Sequence, residues 1–263
     1  MLRFIVMCLG AFLIGLSKAG FGGGTGMIVA PLLALVMPPK LGLGLMLPLL
    51  LATDVLALAH YRGQWDRRSV AVLLPPALLG IGLGGYLLRL IPGDLLARLI
   101  GLLALGFSGT QFWQARRPLP PAKVRLRPWL GAALGFVAGV TSTLAHLGGL
   151  LTAIYLLPQQ LGPACFVATS TAVFFCMNAA KLPAYYGQGL LPPAIWHQAA
   201  SLLPALAVGA VLGFALNGRV TPRRFNTVVI GIVLVTGLYL VIRPSPPPLH
   251  ANQHPPPLQP RRL

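Results

Sequence analysis

Acidic residues are nearly absent from this sequence. Its 263 residues contain three Asp and Glu residues against 20 Lys and Arg residues, and charged residues make up 9% of the chain. The three acids, Asp54, Asp66 and Asp94, are too scattered to suggest a catalytic carboxylate pair, and the sequence has no H-E-x-x-H metal motif. We therefore expect that the protein is not an enzyme.

Cysteines and nucleotide-binding motifs are also scarce. Cys8, Cys165 and Cys176 show neither metal-ligand spacing nor a CxxC pair, and they lie in apolar runs where a cysteine serves as a small core side chain. The chain has no Walker-type G-x-x-x-x-G-K-[ST] motif, and no βαβ unit surrounds its glycines. The sequence predicts no disulfide, no metal site and no cofactor.

What the sequence has in abundance is apolar length. Hydrophobic residues make up 56% of the chain, and its mean hydropathy is +0.79. Apolar runs of about 18 residues or more, which can cross a hydrocarbon core of about 30 Å, recur without the alternation of β-barrel strands. The net charge of +17 comes from basic residues in short loops, so it indicates topology in a lipid bilayer rather than nucleic-acid binding. We predict an all-α, polytopic membrane protein.

About eight transmembrane helices can be placed, in two homologous halves with glycine-broken segments. The first, about 2–16, continues through a glycine stretch into a short apolar piece that ends at Met37. The others cover about 41–60, 70–90, 95–113, 129–157, 163–185, 193–216 and 225–242. We divide the chain into a first transmembrane repeat (1–115), a basic cytoplasmic linker (116–128), a second transmembrane repeat (129–242) and a Pro-rich disordered tail (243–263).

The orientation of the chain follows from the basic residues in its loops. With eight spans, twelve Lys and Arg residues fall on the side of the N-terminus and six on the other side. Because basic loops stay in the cytoplasm, this count predicts a multi-pass protein of the cell (inner) membrane with both termini in the cytoplasm. Arg219, Arg223 and Arg224 argue locally for the opposite orientation.

The two halves share a spaced pattern of residues. Matches lie 120 or 124 positions apart and pair Pro38 with Pro158, Leu41-Gly42 with Leu161-Gly162, Asp54 with Asn178, Gly63-Gln64 with Gly187-Gln188, and Gly85 with Gly209. Transporters built from repeats bind their substrate at the repeat interface. Four spans per half make the repeats parallel, whereas a separate crossing by the apolar piece after each glycine stretch makes them inverted. The sequence leaves both arrangements open.

A glycine stretch, "GLSKAGFGGGTGMIVAP" at 15–31, follows the first apolar segment and has a counterpart, "GFVAGVTSTLAHLGG", at 135–149. Glycine costs about 1 kcal/mol in a helix relative to alanine, so we expect both helices to break there. A broken helix offers unpaired N–H groups and a positive dipole end, which suit an anion. The candidate backbone ligands are Gly22, Gly23, Gly24, Gly148 and Gly149.

Few polar side chains lie inside the predicted spans, where a Lys or Asp costs about 2.5–3.5 kcal/mol on insertion scales. Lys18 closes the first span, and Asp54 lies within the second. One face of the sixth span carries four polar residues, Thr171, Asn178, Lys181 and Tyr185. Such a stripe on an apolar helix should face a partner helix or a cavity.

We predict that these groups form a positive pocket for a small anion near the middle of the bilayer. The candidate side chains are Lys18, Ser142, Thr143, His146, Asn178 and Lys181. Asp54 and His146 are the candidates for carrying a coupling proton.

Each candidate also has a purely structural interpretation. Pairs such as Gly80/Gly84, Gly135/Gly139 and Gly209/Gly213 have the small-xxx-small spacing that lets helices approach closely. The two lysines can extend to a membrane interface, and the histidine can be a satisfied structural group. The Ser and Thr hydroxyls can bond back to their own helix. The sequence leaves these alternatives open.

At these residues the chain resembles the TauE/SafE family of membrane transporters, also called sulfite exporters or the toluene-sulfonate uptake permease group. The matching segments are "GLSKAGFGGGTGMIVAPLLAL", "HYRGQWD", "AHLGG" followed by "AIYLLPQ", and "NAAKLPAYYGQG". The resemblance covers about 2–242 and implies about eight spans, two homologous halves and movement of small anions such as sulfite or organosulfonates. Leu150-Leu151 stand where close members carry two prolines, which is a departure from the family pattern.

The leading prediction is a permease that moves a small anion, such as sulfite, an organosulfonate or another small organic acid, by secondary transport. The alternative is a non-transporting membrane scaffold or assembly protein. The sequence also leaves open whether the chain forms a homo-oligomer.

Overall fold

The computed structural model describes residues 1–21, 26–116, 126–217 and 222–242 of the chain. The described residues form ten α-helices: α1 (Leu2–Phe21), α2 (Gly26–Val36), α3 (Pro39–His60), α4 (Arg67–Leu90), α5 (Gly93–Arg116), α6 (Pro128–Ala145), α7 (Gly148–Leu156), α8 (Pro163–Gly187), α9 (Pro193–Leu216) and α10 (Pro222–Ile242). A short 3-10 turn, Leu157–Gln159, follows α7. The predicted Pro-rich tail, 243–263, and most of the predicted basic linker lie outside the described residues.

The helices have the length and composition of membrane spans. In the described part of the chain, seven of them are long and apolar enough to cross a membrane, and a shorter apolar helix covers Val233–Ile242. Many large apolar side chains, including Leu79, Val211 and Val235, are exposed on the outside of the bundle. These features confirm the predicted all-α, polytopic membrane fold.

The first 37 residues do not form one continuous helix. Helix α1 ends at Phe21 and α2 begins at Gly26. The candidate ligands Gly22, Gly23 and Gly24 lie outside the described residues. Helix α2 runs back alongside α1, because Gly10 packs against Val29 of α2, 3.2 Å from the position of an added Cβ.

The predicted span 129–157 is likewise two helices, α6 and α7, which confirms the expected break in the second glycine stretch. Helix α6 ends at His146, which has a left-handed backbone conformation with φ of 52°. Gly148 then packs against Ser142, and the ring of Tyr155 lies against Gly131. Helix α7 therefore folds back along α6, as α2 does along α1.

Two close helix contacts are lined by glycine. Gly15 of α1 faces the carbonyl oxygen of Leu206 in α9, and an added Cβ would overlap that oxygen. Gly80 of α4 faces the carbonyl oxygen of Phe136 in α6 in the same way. These backbone-to-backbone contacts between α1 and α9 and between α4 and α6, which we call the two glycine seams, are the most extensive helix contacts in the described structure. They confirm the packing interpretation for the glycines that line them.

The two seams match residue by residue. Gly209 of α9 packs on Phe12 and Leu16, whereas Gly80 of α4 packs on the residues 124 positions later, Phe136 and Val140. Gly80 therefore corresponds to Gly209, an offset of 129. The sequence match of Gly85 with Gly209 at an offset of 124 is therefore wrong. The helix packing aligns α4 with α9 at an offset that is five residues larger.

Helices α3 and α8 cross at the centre of the bundle in opposite directions. Gly44, early in α3, packs against Leu190, just after α8, whereas Asp54, later in α3, meets Asn178, earlier in α8. We call the end of the bundle where α3 begins and α8 ends the Lys40 end. The opposite end, where α3 ends and α8 begins, is the Tyr61 end. Leu2 lies at the Lys40 end, since α1 runs parallel to α9.

The glycine seams predict an unequal response of two glycines on one helix. Gly80→Ala should lower the unfolding temperature in detergent, because the new Cβ overlaps the Phe136 carbonyl, and such overpacking costs about 1–3 kcal/mol. Gly82→Ala is the matched control, since an added Cβ there meets nothing within 4 Å. It should be neutral or stabilise by up to about 1 kcal/mol. Equal melting temperatures for the two variants would contradict the seam.

Candidate functional site

A buried ion pair lies at the centre of the bundle. Lys18 of α1 donates to the carboxylate of Asp54 in α3, and the two residues are 4% and 0% exposed. The ammonium also lies 5.4 Å from the centre of the Phe174 ring. The lysine therefore does not extend to a membrane interface. Removing one partner of a buried ion pair typically costs about 3–5 kcal/mol, because the other charge is left uncompensated.

Asp54 is the one acid of the chain that lies in a helix interior. Asp66 caps α4, where its carboxylate accepts a hydrogen bond of 2.9 Å from the backbone N–H of Ser69. Asp94 lies in the first turn of α5. Both positions place a negative charge at the positive end of a helix dipole. Only Asp54 is left to balance the buried cations.

A second lysine extends the network from α3 into α8 and α6. Asn178 donates to the second oxygen of Asp54 at 2.7 Å, and its own carbonyl oxygen accepts from Lys181 at 2.9 Å. Lys181 is completely buried and also donates to the Ser142 hydroxyl at 2.7 Å. With His146 as a third acceptor at 3.3 Å, the three N–H groups of the ammonium are all used.

His146 belongs to this network because α6 breaks there. Its Nδ1 faces the Lys181 ammonium, and its Nε2 lies 3.2 Å from the carbonyl oxygen of Leu43 in α3. A ring that accepts at Nδ1 and donates at Nε2 is neutral. The backbone N–H of His146 closes the end of α6 by donating to the Ser142 carbonyl. The break thus positions the ring between α3 and α8.

Three of the other candidate residues lie beside the network without joining it. The Thr143 hydroxyl donates to the Gly139 carbonyl of its own helix at 2.9 Å, and the Thr143 carbonyl accepts from Tyr185 at 2.7 Å. Gly148 is buried behind Ser142, and Gly149 is half-buried at the start of α7. The structure thus brings Lys18, Asp54, Asn178, Lys181, Ser142 and His146 into one hydrogen-bonded group, which we call the central cluster.

Residues on the two sides of the central cluster correspond to each other at an offset of 124 positions in the sequence. Asp54 and Asn178 lie 124 positions apart and bond to each other. At the same offset, Tyr61 donates to the Ala19 carbonyl at 3.0 Å as Tyr185 donates to the Thr143 carbonyl. The lysines do not follow this pattern. At the same offset, Lys18 corresponds to Ser142, and Lys181 corresponds to Ala57. Each side of the cluster therefore has one lysine, carried by a different helix.

Sequence reasoning missed three parts of this site. Phe174, the Leu43 carbonyl and Tyr61 all contact the network or its backbone, and none was a candidate. The offset of 124 that pairs Asp54 with Asn178 also pairs Tyr61 with Tyr185, so that signal was present in the sequence. The other two contacts depend on how the helices pack and left no sequence signal.

The sequence profile described as sulfite exporter TauE/SafE matches residues 7–240. The chain belongs to the TauE/SafE family. The match spans α1 to α10 and so includes every residue of the central cluster. Membership of this family makes the chain a membrane transporter, consistent with its apolar helices. Neither a search of curated proteins nor a search of solved structures returned a match.

Proposed function

We propose that this protein is a secondary transporter that moves a small anion, such as sulfite, an organosulfonate or another small organic acid, through the central cluster. The observation that carries the proposal is a charge imbalance. In their ordinary protonation states, Lys18 and Lys181 contribute two positive charges, and Asp54 contributes one negative charge. A buried excess positive charge is unfavourable unless it is paired, and a small anion would pair it.

The geometry supports competition between the anion and groups of the protein. Lys181 already donates to three neutral acceptors, so a bound oxyanion replaces one of them, either Ser142 or Asn178. A charged acceptor makes a stronger hydrogen bond with an ammonium than a neutral hydroxyl or amide does. The start of α7 at Gly148, behind Ser142, adds the positive end of a helix dipole to the same place.

The proposal is tested by removing the cations. The double variant Lys18→Gln/Lys181→Gln should reduce flux of radiolabelled sulfite into proteoliposomes by about a hundredfold or more, because hydrogen bonds to charged groups contribute about 1.5–3 kcal/mol each. Arg68→Gln, a change of an exposed cation at the Tyr61 end, should leave flux unchanged. Wild-type flux in a double variant with a normal size-exclusion profile would refute the proposal.

Asp54 suits the role of proton carrier better than His146 does. A proton added to Nδ1 of His146 would face the Lys181 ammonium, which repels it. A proton added to Asp54 removes the negative charge that holds Lys18 and leaves that lysine free to bind the anion. We infer that one proton on Asp54 accompanies each anion, so that Lys18 exchanges the carboxylate for the anion as its charged partner.

Asp54→Asn should therefore uncouple transport from protons. In proteoliposomes, sulfite flux through this variant should no longer respond to an imposed pH gradient, since the isosteric amide cannot bind or release the proton. His146→Gln should keep the response. A pH-gradient effect of wild-type size in Asp54→Asn would exclude this residue as the coupling group.

The two halves of the chain are inferred to be inverted repeats. Each half contributes five helices to the described structure, and α3 runs opposite to its counterpart α8. The matched glycine seams and the matched Tyr61 and Tyr185 hydrogen bonds support this relationship. The odd helix count per half corresponds to the inverted alternative left open by the sequence.

The helix directions also change the inferred orientation. In the described residues, the Lys40 end has four basic residues, Arg3, Lys40, Arg89 and Arg98. The Tyr61 end has seven, Arg62, Arg67, Arg68, Arg116, Arg127, Arg223 and Arg224. We infer that the Tyr61 end is cytoplasmic and that Leu2 and Ile242 lie on the other side. The sequence-based orientation assumed one crossing by residues 2–37, and the reversal of direction between α1 and α2 contradicts that premise.

Orientation can be measured by thiol labelling in intact cells. An impermeant thiol reagent should label Gly187→Cys, at the Lys40 end, and should leave Gln64→Cys, at the Tyr61 end, unlabelled until the cells are permeabilised. Both residues are open to their surroundings, so access depends on the side of the membrane. The reverse labelling pattern would restore the cytoplasmic assignment of the termini.

A further inference from the structure

A cavity of about 500 Å³ opens at the Lys40 end, between the start of α3 and the ends of α4 and α8. Its walls include Lys40, Arg89, Tyr86, Gln188, Gly85 and Ala184, and no acidic residue lines it. In the part of the chain that the structure describes, the side chains of Lys40 and Arg89 have no ion-pair or hydrogen-bond partner. The cavity therefore presents two unpaired cations, whereas the amide nitrogen of Gln188 donates to the Gly85 carbonyl at 3.0 Å.

Small side chains at two positions keep this cavity open. Gly85 of α4 lies against Ala184 of α8, with 3.2 Å between an added Cβ and the alanine Cβ. Their counterparts in the other half are Phe214 of α9 and His60 of α3, whose rings stack with centroids 4.1 Å apart. Two aromatic rings at the Tyr61 end thus occupy the place that is empty at the Lys40 end.

The cavity shares two helices with the central cluster. Ala184 follows Lys181 by three residues on α8, about 4.5 Å along the helix axis. Leu43, whose carbonyl oxygen faces His146, follows Lys40 by three residues on α3. Tyr185, the residue after Ala184, is fully buried; its hydroxyl donates to the Thr143 carbonyl, and its ring centroid lies 6.1 Å from that of His146. The cavity and the cluster are therefore neighbours along α3 and α8, with Lys40 and Arg89 on the cavity side and Lys181 on the cluster side.

We propose that this cavity is an anion-binding vestibule, in which Lys40 and Arg89 hold an oxyanion before it reaches Lys181. The inference rests on the proposed transport of a small anion and adds to it a second binding site and the end at which that site opens. A guanidinium matches the geometry of a sulfonate, sulfite or carboxylate group, and a nearby ammonium adds charge. A cationic cavity also raises the local concentration of anions and their rate of arrival.

A phospholipid headgroup carries the same oxyanion chemistry, so the test separates the two sources. Gly187→Cys is placed in a background in which Cys8, Cys165 and Cys176 are replaced by alanine. Gly187 lines the cavity, and an added Cβ meets nothing within 4 Å, so the variant should fold. The protein is reconstituted in nanodiscs of phosphatidylcholine only, which carry no net charge.

The first measurement compares two thiol reagents of opposite charge. The sulfonate reagent 2-sulfonatoethyl methanethiosulfonate should modify Gly187→Cys about tenfold faster, relative to its trimethylammonium analogue, than it modifies a free thiol at low salt. Adding Lys40→Gln and Arg89→Gln should remove this preference. Gln64→Cys is the matched control, because Gln64 corresponds to Gln188 at the other end, and its reagent preference should not change with these two substitutions. A preference at Gly187→Cys that survives both substitutions would overturn the proposal.

The second measurement identifies the ligand. Methanesulfonate should slow modification of Gly187→Cys by the neutral reagent N-ethylmaleimide several-fold, and Lys40→Gln/Arg89→Gln should abolish the protection. Protection by phosphatidylglycerol in the nanodisc without protection by methanesulfonate would assign the cavity to lipid and overturn the solute site. Labelling does not depend on flux, so a Lys18→Gln/Lys181→Gln protein that keeps both wild-type flux and the reagent preference would refute only the transport route and leave the vestibule intact.

Discussion

The ion pair between Lys18 and Asp54 is the constraint on which the centre of this protein depends. A bundle whose outside is apolar cannot leave either charge unpaired, so α1 and α3 must meet at this point. Asn178 then brings α8 to the free carboxylate oxygen, and Lys181 brings in α6 through Ser142. Four helices are thus fixed by one chain of hydrogen bonds, and every group in it is buried. The break after α6 belongs to the same chain, since it turns His146 toward Lys181.

The two sides of the cluster are similar in backbone and different in charge. Tyrosine hydroxyls reach equivalent carbonyl oxygens on both sides, which fixes the helices in equivalent positions. Asp54 and Asn178 then place a charged and a neutral acceptor at the crossing of α3 and α8. One lysine is neutralised by the carboxylate, whereas the other is solvated by uncharged groups. The excess positive charge, and with it the proposed affinity for anions, comes from this single difference between aspartate and asparagine.

Much of this arrangement could be predicted from the sequence because polar residues are so rare in it. Lys18, Asp54, Asn178, Lys181 and His146 stand out in apolar runs, and buried polar groups must find one another. The reversal of α2 and α7 could not be predicted, since a short apolar piece has the same hydropathy whichever way it runs. The pairing of Gly85 with Gly209 failed for a related reason: a single glycine match carries no packing information. The Thr143 hydroxyl donates to a carbonyl of its own helix, and the composition of the sequence does not predict this contact.

The glycine seams have a consequence for how the chain is made. Each seam joins a helix of the first half to a helix of the second, α1 to α9 and α4 to α6. Neither α1 nor α4 can bury its glycine face until the ribosome has delivered its later partner. The first half therefore leaves the insertion machinery with the glycine faces of α1 and α4 uncovered. Both seams form only after the second half has been synthesised. A fragment that stops before α6 has no native partner for either face.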